Sequence, residues 1–244
     1  MLKRHLAVLA VTGCFSLSLV PLAWGADASL PAGVAAAIAD ASRPEADRQR
    51  DANRKPGELI VFAGIKAGDK VVDLLPGGGY FTRIFAGVVG PSGHVYSLTP
   101  REDANLKAWA AERRNVTYAV QPMDQLEVPE PVDVVWTSLN YHDVVNRGGA
   151  DALNAFAFKA LKPGGAYIVI DHAAGPNPAP DVTSKLHRID PQVVKQQVQA
   201  AGFELEAESD VLRNPDDTYT TGVHDPSIRG RTDQFVLRFR KPAR

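Results

Sequence analysis

Cysteine is nearly missing from this chain. The one thiol, Cys14, falls in an apolar N-terminal stretch, so no intramolecular disulfide staples the fold. Excess charge of either sign is lacking too: 27 Lys+Arg stand against 28 Asp+Glu, a formal net charge of −1. That balance offers no field for a polyanion. The C-terminal Arg238, Arg240, Lys241 and Arg244 are too few for nucleic-acid capture and read as a solvated strand end. A dinucleotide fingerprint is also incomplete. Gly77 and Gly79 supply the first pair of G-x-G-x-x-G, but Thr82 occupies the third place, which argues against a nucleotide-dependent oxidoreductase.

What is present begins with an apolar run. Lys3 and Arg4 precede an almost wholly apolar stretch from His5 to Leu22, and Ala23-Trp24-Gly25 puts small residues at both cleavage-determining positions. Residues 1–25 are therefore expected to be an export signal, with Ala26 opening the mature chain and Ala26-Asp27-Ala28 as an alternative cut. Val11-Thr-Gly-Cys14 also resembles a lipobox, which would place a lipid on Cys14, and the run approaches the length of an uncleaved anchor. Cleavage at Gly25 would leave 25 Lys+Arg against 28 Asp+Glu, net −3, and no cysteine. The expected location is the periplasm or the exterior, with a lipoprotein as the alternative and no other membrane association.

Residues 26–55 read as a helical segment ahead of an α/β domain over 56–244. Pro31–Ala41 and Glu45–Lys55 are its two helices, broken at Arg43-Pro44. The second carries Asp47, Arg48, Arg50, Asp51, Arg54 and Lys55, with Asp51 and Lys55 spaced as an i,i+4 pair. It is either a solvated, salt-bridged helix or a lid whose arginines meet an anionic ligand over the sheet.

The most informative stretch is Asp73-Leu-Leu-Pro-Gly-Gly-Gly-Tyr-Phe-Thr82. It follows the apolar Val71-Val72 and leads into a helical pattern over Tyr80–Val89, the grammar of strand, tight turn and helix. Gly77, Gly78 and Gly79 remove every Cβ where a ligand would touch backbone, and the turn aims helix N-terminal N–H groups at it. Asp73 can accept a hydrogen bond from a ligand ammonium or hydroxyl. Strand-like runs recur at Lys70–Leu75, His94–Leu98, Val116–Val120, Val132–Thr137, Gly165–Asp171, Phe203–Ser209 and Gln234–Arg240. Helical patterns at Glu102–Arg113, Asp151–Leu161 and Pro191–Ala201 lie between many of them. In the last, Asp190 is the N-cap, Pro191 the first helical position and Gly202 the stop. The alternation predicts a Rossmann-like, doubly wound α/β sheet of seven strands, mostly parallel, with an antiparallel C-terminal hairpin.

The glycine turn resembles motif I of class I S-adenosylmethionine (SAM)-dependent methyltransferases, D-x-G-x-G-x-G. Asp73, Gly77 and Gly79 match, and Leu75 replaces the first glycine. Leu161-Lys-Pro-Gly-Gly165, Ala200-Ala-Gly-Phe203 and the closing hairpin are similar to phrases of the same family, so the resemblance covers about residues 56–242. The wording around Asp73 is similar to that of exported bacterial proteins predicted to be methyltransferases. The resemblance implies SAM as cofactor and a binding set of Asp73, Gly77, Gly78, Gly79, Tyr80, Thr99, Met123, Asp124 and Asn140. Thr99 falls where the family places a carboxylate for the ribose hydroxyls, with Glu102 and Asp103 as nearby substitutes. Met123 would pack on the adenine ring and Asp124 accept from its amino group.

In an open α/β sheet ligands bind beyond the carboxyl ends of the strands, so the chemistry is sought there. After the fourth strand comes Ser138-Leu-Asn-Tyr-His-Asp143, which is not the Asn-Pro-Pro-Tyr signature of base-amino methylation; after the fifth comes Asp171-His172. Tyr141, His142 and His172 are the catalytic candidates, each able to move a proton. No resident metal is assigned; the alternative is a divalent ion with Asn140 and Asp171 as oxygen ligands. His187, Arg188, Arg213, Arg229 and Arg231 lie in long carboxyl-edge connections. They are candidates for an anionic or polar substrate, or for ion pairs with nearby aspartates. The expected activity is methyl transfer to an unidentified small-molecule acceptor. The alternative is an exported, non-catalytic small-ligand binder on the same fold.

Overall fold

The computed structural model describes residues 29–243. The expected signal segment, Cys14 and Arg244 lie outside the described residues. Seven strands form one sheet in the order β3-β2-β1-β4-β5-β7-β6. They are β1 (Lys70–Leu74), β2 (His94–Thr99), β3 (Val116–Val120), β4 (Val132–Ser138), β5 (Leu161–His172), β6 (Glu204–Ser209) and β7 (Gln234–Arg240). The pairings β1–β2, β1–β4, β2–β3 and β4–β5 are parallel, and β7 runs antiparallel to both β5 and β6. This is the mostly parallel, seven-stranded sheet with an antiparallel ending that the β–α alternation predicts. The winding direction reverses between β1 and β4, which opens a crevice beyond their carboxyl ends.

Among the described residues four helices precede the sheet: α1 (Ala32–Ala39), α2 (Glu45–Arg48), α3 (Asp51–Arg54) and α4 (Pro56–Ala63). With α5 (Tyr80–Val89) and α6 (Ala104–Ala111), helices α1 and α4 cover one face of the sheet. The other face is covered by α7 (Tyr141–Asn146), α8 (Ala150–Ala160) and α10 (Pro191–Ala200), while α9 (Val182–Leu186) sits in the connection after β5. The strands alternate between these layers. Val71, Val134, Trp136 and Ile168 turn toward α5; Val72, Val135, Tyr167 and Val169 turn toward α8. Trp136 is fully buried against Phe81 and Phe85, with ring centroids 4.7 and 5.2 Å away. The same parity sends Asp73 to the α5 side.

Several local expectations change. The helix expected over Glu45–Lys55 is two single turns, α2 and α3, and α4 follows at once. Lys55 breaks the run between α3 and α4 with a left-handed φ of 44°, and Pro56 heads α4 at its first helical position. The Asp51–Lys55 pair does not form. Asp51 instead receives two guanidinium nitrogens of Arg43, at 2.7 and 2.8 Å, and the Tyr80 hydroxyl at 2.5 Å. These bonds fasten the N-terminal segment to the head of α5. Further along, α1 lies so close to α5 that a Cβ on Gly87 would stand 2.8 Å from the Ala37 Cβ. Strand β5 starts at Leu161 rather than Gly165, since Leu161 already pairs with Val132 across a register shift. The last crossover helix is capped as expected, with the Asp190 carboxylate accepting from the Gln192 N–H at 2.8 Å.

Two candidates for an anionic substrate are paired with aspartates, one of them deep in the structure. Arg188 is fully buried and pairs with Asp217 through both terminal nitrogens, at 2.8 and 3.0 Å, while also donating to the Ala173 and Thr221 carbonyls. Arg213 is held by Asp233 at 2.8 Å. The Arg188 pair ties the connection before α10 to the long β6–β7 loop. Asp217→Ala would strand a buried cation and should cost about 3–5 kcal/mol, read as a fall in the urea midpoint, whereas Arg188→Met/Asp217→Leu should recover most of it. A loss under about 1 kcal/mol in the single variant would show a pair no more important than an exposed one.

Candidate functional site

The turn after β1 is the first component. Leu75 stands in the place of the motif's first glycine and adopts the glycine conformation, with φ 56°. A left-handed side chain costs about 1–2 kcal/mol, so the surroundings must hold it. They do so from both sides: the Leu75 N–H donates to Leu98 O at 2.9 Å, and Leu75 O accepts from Asn140 Nδ2 at 3.0 Å. The end of β4 repeats the device, with Leu139 at φ 61° and its N–H donating to Ile170 O at 2.8 Å. Asn140 therefore spans the crevice, its amide also donating to Ser138 O at 2.6 Å.

The glycines divide the work. A Cβ on Gly77 or Gly78 would meet nothing within 4 Å, so backbone here borders open space. Gly79, at φ 82°, has no such room, because its Cβ would lie 2.4 Å from Leu106 of α6. Helix α5 starts without a side-chain cap, which leaves its first N–H groups aimed into the opening. The Arg83 guanidinium donates to Gly78 O and steadies the loop. Behind it, Asp73 is buried and accepts from the Thr82 hydroxyl at 2.6 Å. Burial pushes the Asp73 carboxyl up to about 7, against the opposing pull of that hydroxyl and of the Arg54 charge. Thr82 in the third glycine's place is thus a partner for Asp73. Arg54 lies over the Tyr80 and Phe81 rings, at 4.2 and 4.8 Å from their centroids, and burial draws its pKa down to about 10. It is one of the arginines that the sequence placed in a possible lid over the sheet.

Beyond β2 the carboxylate substitutes are occupied. The Thr99 hydroxyl bonds both the N–H and the carbonyl of Arg101, Glu102 pairs with Lys107 at 2.7 Å, and Asp103 caps α6 through the Leu106 N–H at 2.8 Å. One Asp103 oxygen is thus spent on the cap, while Glu102 lies exposed at the surface. Beyond β3, Met123 is half-buried against the α8-side core and Asp124 is exposed.

A histidine cluster forms the second component, at the ends of β4 and β5. His142 is 2% exposed; its Nδ1 lies 2.8 Å from Asp171 Oδ1, and its backbone N–H donates to Asp171 Oδ2 at 2.7 Å. Burial disfavours the imidazolium, but the bond and charge of Asp171 outweigh it and raise the His142 pKa. His172 behaves oppositely: burial lowers its pKa to about 4, and its Nδ1 is engaged by the Thr232 hydroxyl at 2.7 Å. The His172 ring stands 6.0 Å from His142, His187 stands 5.4 Å from His142, and His224 stands 4.8 Å from His187. Four of the chain's six histidines thus converge. His224 escaped sequence reasoning because only the fold of the β6–β7 loop brings it here. Tyr141 does not join them. It is fully buried on the α8 side, its hydroxyl accepting from Asn154 at 2.8 Å and donating to Gln197 at 3.2 Å, with its pKa pushed up to about 12 by burial. Its hydroxyl is engaged inside the α8 layer rather than facing the histidines. The alternative metal set also fails to assemble, since both Asp171 oxygens are enclosed by His142 and His172 donors.

No protein-family model matches the chain. It is 31% identical over 126 residues to the ubiquinone/menaquinone biosynthesis C-methyltransferase UbiE of Ectopseudomonas mendocina, covering 49% of this chain and 48% of that one. The chain spans about half the length of the curated relatives it matches. A SAM-dependent methyltransferase from Aquifex aeolicus superposes with a TM-score of 0.53 at 17% identity, over 75% of this chain and 88% of that one. The cyclase SpnF superposes with a TM-score of 0.58 at 19% identity, over 82% of each chain. The fold is therefore that of the class I methyltransferases. The presence of a cyclase among its neighbours shows that fold alone does not name the reaction.

The division among the glycines is testable. Gly78→Ala should leave the melting temperature unchanged while weakening binding of SAM in calorimetry, and Gly79→Ala should lower the melting temperature. Asp73 supplies a pH signature. With its folded pKa at about 7 against an ordinary 3.8, its contribution to stability is complete below 3.8 and lost as pH rises to about 7. In thermal melts without ligand, Asp73→Asn should exceed the parent above pH 7, and the two should converge near the ordinary carboxylate range; parallel curves would refute a buried, raised carboxyl.

Proposed function

We propose that this chain transfers the methyl group of SAM to a small-molecule acceptor lying between the glycine turn and the histidine cluster. The observation that carries the reading is the open Gly77-Gly78 backbone in front of buried Asp73, joined through Asn140 to the helix that bears His142. The relatives' activity, C-methylation in ubiquinone and menaquinone biosynthesis, supports the reaction class. Methyl transfer requires little covalent help: the acceptor must be held in line with the sulfonium, and one proton must be removed. The S–CH3 bond breaks with its electron pair passing to sulfur, and the acceptor forms the new bond to the methyl carbon. His142 Nε2 receives the acceptor's proton, while Asp171 at Nδ1 orients the ring and stabilises the imidazolium. On this reading the protein works after export, on SAM supplied to that compartment, and its partners are small molecules rather than nucleic acid.

Calorimetric titration with SAM, its demethylated product and NAD tests the cofactor. Micromolar binding of the first two is expected, and binding of NAD alone would overturn the reading. His142→Ala should lower turnover by about 10²–10⁴-fold with SAM affinity nearly unchanged. Undiminished turnover would remove His142 from the mechanism.

A further inference from the structure

The histidine cluster contains more than a proton acceptor needs. His142 Nε2 and His187 Nδ1 stand 3.6 and 3.5 Å from one Asp143 carboxylate oxygen, and the three donor atoms all lie within 4.8 Å of one another. Neither nitrogen makes a hydrogen bond among the described residues, and His187 Nδ1 is fully enclosed. A buried nitrogen without a partner costs about 1–3 kcal/mol, a cost that a bound ion would relieve. Separations near 3.5 Å are too long for hydrogen bonds. They are close to the edge of a tetrahedron whose centre lies about 2.0–2.2 Å from nitrogen and oxygen ligands.

The surroundings are those of a ligand set. His142 offers Nε2 outward because Asp171 holds Nδ1 at 2.8 Å, the carboxylate–histidine arrangement that fixes the tautomer and ring plane of a metal-bound imidazole. His187 is held at φ 55°, a left-handed conformation costly for a side chain of this size, at the end of α9. His224 packs beside it. Two carboxylates, Asp143 and Asp171, offset the charge of a dication. Two imidazoles and one carboxylate suit borderline first-row ions rather than magnesium or calcium, which prefer all-oxygen shells.

We propose that His142, Asp143 and His187 form a binding site for a divalent first-row transition ion of the zinc class, with a position left open toward the crevice. The site deepens the methyl-transfer reading, on which its role rests. An acceptor with an ionisable oxygen would take the open position, and coordination would release its proton to water without a protein base. His142 would then be a ligand, so the ion and the free base are alternative ways of preparing one acceptor.

The test uses the full chain, stripped with chelator and titrated with Zn2+ by calorimetry and with Co2+ by visible absorption. One ion per chain is expected, with a cobalt spectrum of low coordination number. His187→Ala and Asp143→Asn should each lose at least tenfold in affinity. Asp171→Asn should lose about 10–100-fold while keeping the stoichiometry, and His94→Ala, remote from the cluster, should bind as the parent does. SAM titrations on the same samples separate the two readings. Unaltered Zn2+ binding in folded His187→Ala, or none in the parent, overturns the metal site and leaves methyl transfer to the SAM result. Zn2+ binding without SAM binding keeps the ion and removes the methyltransferase.

Discussion

The hydrogen bond from Asn140 Nδ2 to Leu75 O crosses the point where the sheet changes winding direction, and the candidate site is arranged around it. On one side β1 ends in a left-handed leucine and the glycine turn; on the other β4 ends in a left-handed leucine and the helix carrying His142. Each corner stores on the order of 1–2 kcal/mol, and neither is relaxed by a glycine. The strain is stable because backbone bonds from β2 and β5 and one amide side chain leave the turns no alternative path.

Burial then encloses a carboxylate on either side of that bond. Asp73 is raised by enclosure on the α5 side, whereas Asp171 is enclosed by three N–H donors on the histidine side. The two carboxylates terminate neighbouring regions of one sheet and yet do different work. One lies behind an open backbone with its carboxyl raised by burial; the other aims an imidazole. The arginines that looked like substrate contacts mostly pay for loop structure: Arg188 and Arg213 are locked to Asp217 and Asp233, so the cations near the site are fewer than the sequence suggests.

Legibility followed the range of the forces involved. The strands and long helices were readable because apolar periodicity and capping residues act over a few residues, as at Asp190-Pro191. The short helices α7 and α9 were not, since neither is long enough to show a period. His142 and Asp171 could be named as neighbours from the parallel order of β4 and β5. Tyr141, one residue away, could not be told apart from His142, because a step of one position on a helix turns the side chain by about 100° and so from the crevice into the α8 core.

The sequence alone determined the sheet, its winding and the glycine turn, because periodicity and glycine placement are local and repeat along the chain. Tertiary structure decided which polar side chains were free. It spent Asp103 on a cap and Arg188 on a buried ion pair, and it gathered His187 and His224 beside His142 from loops far apart in sequence. Such choices depend on distances between elements that no local pattern encodes.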